Sequence, residues 1–146
     1  MRHCPDNQSM KVLYVEDNPQ DIDLTSRELR RTSPDIHLEM VDTVAAALAR
    51  LDDLEAAVAR GEPPCVDLLL LDMNLPDGNG LAVLAEVRHR SLPLAVVVLT
   101  GSGDEESVLT ALRAGADDFV VKPVSPERLK ISIQNLLKVN ALTEEV

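Results

Sequence analysis

Aromatic side chains are almost absent: the 146 residues include one tyrosine, one phenylalanine and no tryptophan. Any interior must therefore be filled by Leu, Val, Ile and Ala. Cysteine is scarce too. Cys4 and Cys65 form no metal-ligand spacing, and an isolated pair reads as free thiols in a reducing cytoplasm rather than as a disulfide framework. Positive charge is outweighed, with 14 Lys and Arg against 25 Asp and Glu, a net charge of −11. So acidic a surface repels phosphate backbones and anionic lipid, which disfavours nucleic-acid and membrane binding by this segment. Long apolar runs are missing: Val66–Leu71 is broken by Asp67 and falls far short of the roughly 20 residues a spanning helix needs. Met1–Gln20 has no apolar stretch long enough for a signal peptide. These gaps leave a cytoplasmic globular protein of one domain.

What is present is a regular switch of hydrophobic period. Lys11–Val15 is a short apolar run, followed by Asn18-Pro19 as N-cap and first helical residue. Ile22, Thr25, Ser26 and Leu29 then trace one helix face, ended by Pro34. Ile36–Val41 alternates as a second strand. Thr43 caps an Ala-rich helix with Ala47, Leu48, Leu51 and Leu54 inward, stopped by Gly61, Pro63 and Pro64. Val66–Leu71 is a third strand, whose four consecutive leucines imply burial on both faces, as in a parallel sheet. Pro76–Gly80 is a turn, and Leu81, Leu84, Ala85 and Arg88 trace a third helix. Leu94–Leu99 is a fourth strand, and Gly101-Ser102-Gly103 a loop. Val108, Ala111, Leu112 and Gly115 mark a fourth helix, its first turn acidic. Asp118–Val121 is a fifth strand, and Leu129, Ile133 and Leu136 face inward from a fifth helix. This (βα)5 alternation predicts an α/β three-layer sandwich around a parallel five-stranded sheet.

Four of the five strands end in a polar group: Glu16-Asp17, Asp72, Thr100 and Lys122. Open α/β sheets bind ligands beyond the carboxyl ends of their strands, where the strand order reverses. In a flavodoxin-like order 2-1-3-4-5, the acidic pair and Asp72 converge there. Two carboxylates about 5 Å apart repel by roughly 3 kcal/mol at an effective dielectric of 20. Such a cluster must take up protons or a cation, and hard oxygens with room for water suit Mg2+. With the Lys122 ammonium and the Thr100 hydroxyl beside it, Asp72 can receive a phosphoryl group.

At this point the sequence resembles the receiver domain of two-component response regulators, CheY-like proteins. The matching segments are Val12–Asn18, Leu68–Gly78, Val97–Gly101 and Gly115–Pro123, in order and at the expected strand ends. The resemblance implies Asp72 as phosphoacceptor. It implies Asp17, Asp72 and the Asn74 backbone carbonyl as Mg2+ ligands, with Glu16 acting through water. Thr100, Lys122 and Phe119 take the places of the switch hydroxyl, the phosphate-binding lysine and the switch aromatic. Glu16 departs from the frequent Asp, and Phe119 from the frequent Tyr, which removes a hydroxyl. The resemblance also implies a cis Lys122-Pro123 peptide. Tyr14 reads as core only, and His3, His37 and His89 form no ligand set.

The partners implied are a histidine kinase or histidine phosphotransfer protein, an effector or output domain, and a phosphorylation-dependent homodimer. Beyond self-phosphorylation and self-dephosphorylation, no enzyme activity is expected. A Mg2+-dependent phosphatase with an Asp nucleophile needs an acid at position 74, where Asn stands. A flavin site needs a phosphate-accepting loop where Glu16-Asp17-Asn18-Pro19 is hostile to phosphate. A phosphorylation-independent interaction module stays open. Residues 1–10 read as an N-terminal tail, 11–138 as the receiver, and 139–146 as a helical extension or the start of a connector. After Pro126 the chain has neither Gly nor Pro, and Ile133, Leu136, Asn140 and Thr143 keep a rough seam. A connector to an output domain and a fraying terminal helix are both compatible with this.

Overall fold

Apolar runs too short to make a buried helix become strands, and each is followed by an amphipathic segment with its own cap. The computed structural model describes residues 10–32, 34–62, 65–101, 105–122 and 125–145. The long strands are β1 (Met10–Val15), β2 (Ile36–Val41), β3 (Leu68–Asp72), β6 (Ala95–Thr100) and β7 (Asp118–Val121). Two-residue strands β4 (Asn74–Leu75) and β5 (Gly78–Asn79) form a separate antiparallel hairpin. The helices are α1 (Pro19–Thr32), α2 (Val44–Ala59), α3 (Leu81–His89), α4 (Glu105–Arg113) and α5 (Pro126–Glu145).

All pairings in the main sheet are parallel, in the order β2-β1-β3-β6-β7. Counting only its own five strands, this is the order 2-1-3-4-5 predicted above. Parallel neighbours need crossover helices, and these cover both faces. The four leucines of β3 are fully buried. Leu69 and Leu71 pack with Leu51 of α2 and Val83, Leu84 and Val87 of α3. Leu68 and Leu70 pack on the opposite face with Tyr14, Leu29 of α1, and Leu129 and Ile133 of α5.

The caps are those the sequence announces. Asn18 Oδ1 accepts from the N–H groups of Gln20 and Asp21, and Thr43 Oγ1 accepts from Ala46 N. Helices α2, α3 and α4 end alike: the residue two past the last helical one turns left-handed, and two reverse backbone bonds close the end. Gly61 and Gly115 fill that position after α2 and α4, whereas Ser91 fills it after α3 with φ 52°.

Several expectations need correction. Strands β3 and β6 run to Asp72 and Thr100, so both polar residues close their strands rather than follow them. The inner face of α3 is Val83, Leu84 and Val87, while Ala85 is exposed. Burying two valines removes more apolar area from water than burying Ala85 and the stem of Arg88. In α4 only Ala111 is buried, and Leu109 and Leu112 are exposed. Cys65 is disulfide-bonded, against the free thiol expected. Spacing along the chain says nothing of distance in space, which is why the sequence missed it. The chain's other cysteine, Cys4, lies outside the described residues, as do Ser102, Gly103 and Pro123 of the expected loop and cis peptide. Among the described residues no helix is long and apolar enough to cross a membrane.

Candidate functional site

Sheet register brings four strand ends to one edge. Val15 lies opposite Leu71, Asp72 opposite Leu99, and Thr100 opposite Val121. The ladder continues past the strands through Met73 N–H to Leu99 O at 3.3 Å and Lys122 N–H to Thr100 O at 2.7 Å. Glu16 and Asp72 are buried here, while Asp17 is exposed. One carboxylate oxygen from each of these three residues lies within 4.8 Å of the others, a group that could hold a metal ion. An all-oxygen, anionic donor set with one member open to water fits a hard divalent cation. Asn74 follows in the exposed turn, and its N–H donates to Asp72 Oδ1 at 3.2 Å. Gly80 abuts the same backbone: a Cβ there would stand 2.4 Å from the Asp72 carbonyl oxygen.

The Lys122 ammonium sits among carboxylates. Its Nζ is 2.7 Å from Glu16 Oε1, 3.2 Å from Asp72 Oδ2 and 3.4 Å from Asp21 Oδ2. Burial pulls the lysine's pKa down, but the Glu16 contact and the charges of Asp72 and Glu16 outweigh it and hold the pKa above its ordinary range. Glu16 is pushed up to about 7, chiefly by burial and next by the neighbouring Asp72, against the pull of Lys122. Among the described residues, Glu16 Oε1 makes no aligned hydrogen bond despite its short ionic contact, and the buried Thr100 Oγ1 has no hydrogen-bond partner. Buried hydroxyls are normally satisfied, so an orphan at a ligand edge marks a place prepared for an acceptor. Phe119, half-buried, packs against the core under α2 and α3, and its carbonyl accepts from Arg128 Nη2 at 3.1 Å.

The structure thus brings Glu16, Asp17, Asp72, Thr100 and Lys122 to one edge. Asn74 adjoins them, and Phe119 lies three residues before Lys122 on β7. Tyr14 lies beneath, fully buried, its hydroxyl 3.4 Å from Thr25 Oγ1. Two residues were missed. Asp21, in the first turn of α1, reaches Lys122 across 101 positions of sequence. Asp77, in the hairpin turn, accepts from Val44 N at 2.7 Å and Ala45 N at 3.0 Å, tying the loop after Asp72 to the start of α2. Those backbone bonds hold the Asp77 carboxyl below its usual range. No spacing rule connects either pair. The one available signal was Asp21 itself, an acid in the turn after the Asn18 cap.

Fold and edge together define a doubly wound α/β protein with an acidic, lysine-bridged side-chain cluster at the carboxyl edge of its sheet. The chain belongs to the response regulator receiver domain family, which matches residues 12–134. It is similar to the transcriptional regulatory protein AruR of Pseudomonas aeruginosa, 33% identical over 132 residues, covering 88% of this chain and 49% of that protein. It is also similar to the regulatory protein LuxO of Vibrio cholerae, 34% identical over 107 residues, covering 73% of this chain and 21% of that one. The chain therefore spans half or less of these relatives' length. Among solved structures, the receiver domain of NtrX from Brucella abortus matches with a TM-score of 0.72 and 28% identity, over 87% of this chain and 98% of that one. A longer NtrX structure matches with a TM-score of 0.77 and 27% identity, over 94% of this chain and 29% of that one.

Proposed function

We propose that this receiver accepts a phosphoryl group on Asp72 from a histidine kinase or histidine phosphotransfer protein, and that the acyl phosphate switches a protein-interaction surface. The observation that carries the reading is the company Asp72 keeps: a lysine Nζ at 3.2 Å and the orphan hydroxyl of Thr100, both at the same sheet edge. An Asp72 carboxylate oxygen attacks phosphorus, the bond from phosphorus to the donor imidazole nitrogen breaks, and the imidazole leaves with that electron pair. Lys122 meets the negative charge on the phosphoryl oxygens, and Thr100 donates its hydroxyl to one of them. Phe119 follows the space Thr100 vacates, which carries the change to the surface.

In this reading Mg2+ is held by Asp17, Asp72 and the Asn74 carbonyl, with Glu16 acting through water. When bound, the ion offsets charge on the transferred group. The all-oxygen donor set, with Asp17 open to solvent, supports that assignment. The Lys122 contact with Glu16 leaves this carboxylate engaged with the lysine as well. The protein works in the cytoplasm, where its kinase partner has its phosphohistidine. The receiver runs to residue 138 in this reading and includes Met10, which already pairs with Ile36 as the first residue of β1. The stretch from 139 onward lies within the single helix α5 and serves as a helical extension or as the start of a connector to an output domain or effector, with homodimerisation on phosphorylation as a further part of this reading. The test is incubation with Mg2+ and acetyl phosphate, read by intact mass. The wild type gains one phosphoryl group. Asp72→Asn gains none, because an amide is a poor nucleophile. Equal labelling of Asp72→Asn would overturn the assignment.

A further inference from the structure

The Lys122 ammonium has three N–H donors, and three carboxylates already surround it. A phosphoryl oxygen on Asp72 needs one of those donors. Building on the phosphoryl-accepting reading of Asp72, we propose that Asp21 is a positioning residue that competes with the phosphoryl group for Lys122 and so limits how tightly the activated site holds it.

Burial ranks the three competitors. Glu16 is fully enclosed and its closest cation is Lys122 at 2.7 Å, so giving up that contact would strand a buried carboxylate. Asp72 is the acceptor itself. Asp21 has the longest contact, 3.4 Å, and its side chain is 39% exposed, so water can take over its charge. It also stands in the first turn of α1, where the helix dipole favours an anion even without a lysine partner. Asp21 is therefore the group that yields.

Its placement is fixed rather than incidental. The Asn18 side chain caps α1 and accepts from the Asp21 N–H itself at 3.2 Å, which holds the turn that carries Asp21. A fixed carboxylate beside the lysine adds negative charge where an anion must settle, and like charges at this range repel. Replacing it by its uncharged isostere removes both the competitor and the repulsion. Because Glu16 still anchors Lys122, little positioning is lost.

The test uses the full chain with beryllium fluoride and Mg2+ as a phosphoryl stand-in, comparing wild type, Asp21→Asn and Asp21→Glu. Asp21→Asn is expected to bind beryllofluoride about fivefold tighter, a partly screened charge effect, and to hold the acyl phosphate correspondingly longer. Asp21→Glu keeps the charge and stays within about twofold of wild type. Affinity for Mg2+ alone does not rise in either variant, a readout that separates competition for the lysine from a changed metal site. Unchanged or weaker beryllofluoride binding by Asp21→Asn overturns the proposal, and so does equal tightening by Asp21→Glu or a parallel gain for Mg2+ alone. A wild type that binds no beryllofluoride and takes no phosphoryl group refutes the reading of Asp72 instead.

Discussion

Glu16 shows how one methylene beyond the frequent Asp changes a pocket. The longer side chain rests its Oε1 against the lysine while burial and Asp72 push its pKa to about 7. In the unfolded chain the same carboxyl titrates near its ordinary 4.5. Between those values the folded state binds more protons than the unfolded one, so this group's contribution to stability declines as pH rises through that window. We expect metal-free protein in EDTA to lose stability of order 1–3 kcal/mol from this group between pH 4.5 and 8. Denaturant titrations of wild type and Glu16→Gln should show the slope in the first and a flatter profile in the second. A cation bound to the cluster favours the carboxylate, so Mg2+ should shrink the slope. The residues of this pocket were legible because each stands at a strand end, where sequence order maps directly onto sheet position. Asp21 was not, since its partner Lys122 stands just past the far strand β7 and is brought to α1 only by the fold, not by any periodicity.

Helices α2, α3 and α4 close with the same pair of reverse backbone bonds, and two of the three use glycine at the left-handed residue. Ser91 does the same work with a Cβ in the way, at φ 52°. Ser91→Gly should relieve that strain and stabilise the protein by about 0.5–1 kcal/mol, with no change in labelling, as thermal and denaturant unfolding would record. The hairpin of β4 and β5 is tied to α2 by its own turn residue Asp77, which caps α2 in addition to Thr43. Asp77→Ala should lower stability measurably and weaken Mg2+ binding several-fold, because the loop bearing the Asn74 carbonyl loses its anchor. Calorimetric titration with Mg2+ checks the second effect; a loss of stability at unchanged Mg2+ affinity would show that the anchor serves α2 alone. At this scale the strands, caps and stops could be read from local chemistry. The inner face of α3 could not, because Leu84 belongs to both candidate stripes and only the packed neighbours decide between them. The hairpin escaped notice because Pro76–Gly80 specifies a turn without saying that its arms pair.

Across the molecule, charge is the dominant imbalance, net −11 with three carboxylates gathered at one edge. A cation that binds only the folded cluster stabilises the whole fold by mass action, by about 2.7 kcal/mol at a hundredfold excess over its dissociation constant. For a domain of this size, melting should therefore rise by several degrees with Mg2+, roughly 5–15 °C at that excess. Asp17→Ala should lose most of the rise, whereas sodium chloride at matched ionic strength should not reproduce it in the wild type. Equal effects of both salts would point to general screening of the acidic surface rather than a site.

The near-absence of aromatic rings gives the molecule an optical consequence. Its single tyrosine is sealed in the core with its hydroxyl on Thr25 and its pKa pushed up to about 12, and no indole exists anywhere in the sequence. The protein is therefore nearly dark at the wavelengths where most proteins fluoresce, and its one tyrosine signal is insensitive to pH across the neutral range. One introduced indole, Phe119→Trp, can be excited beyond the tyrosine's absorption and sits on the strand that leads to Lys122, so each photon it then returns reports on one place and nothing else.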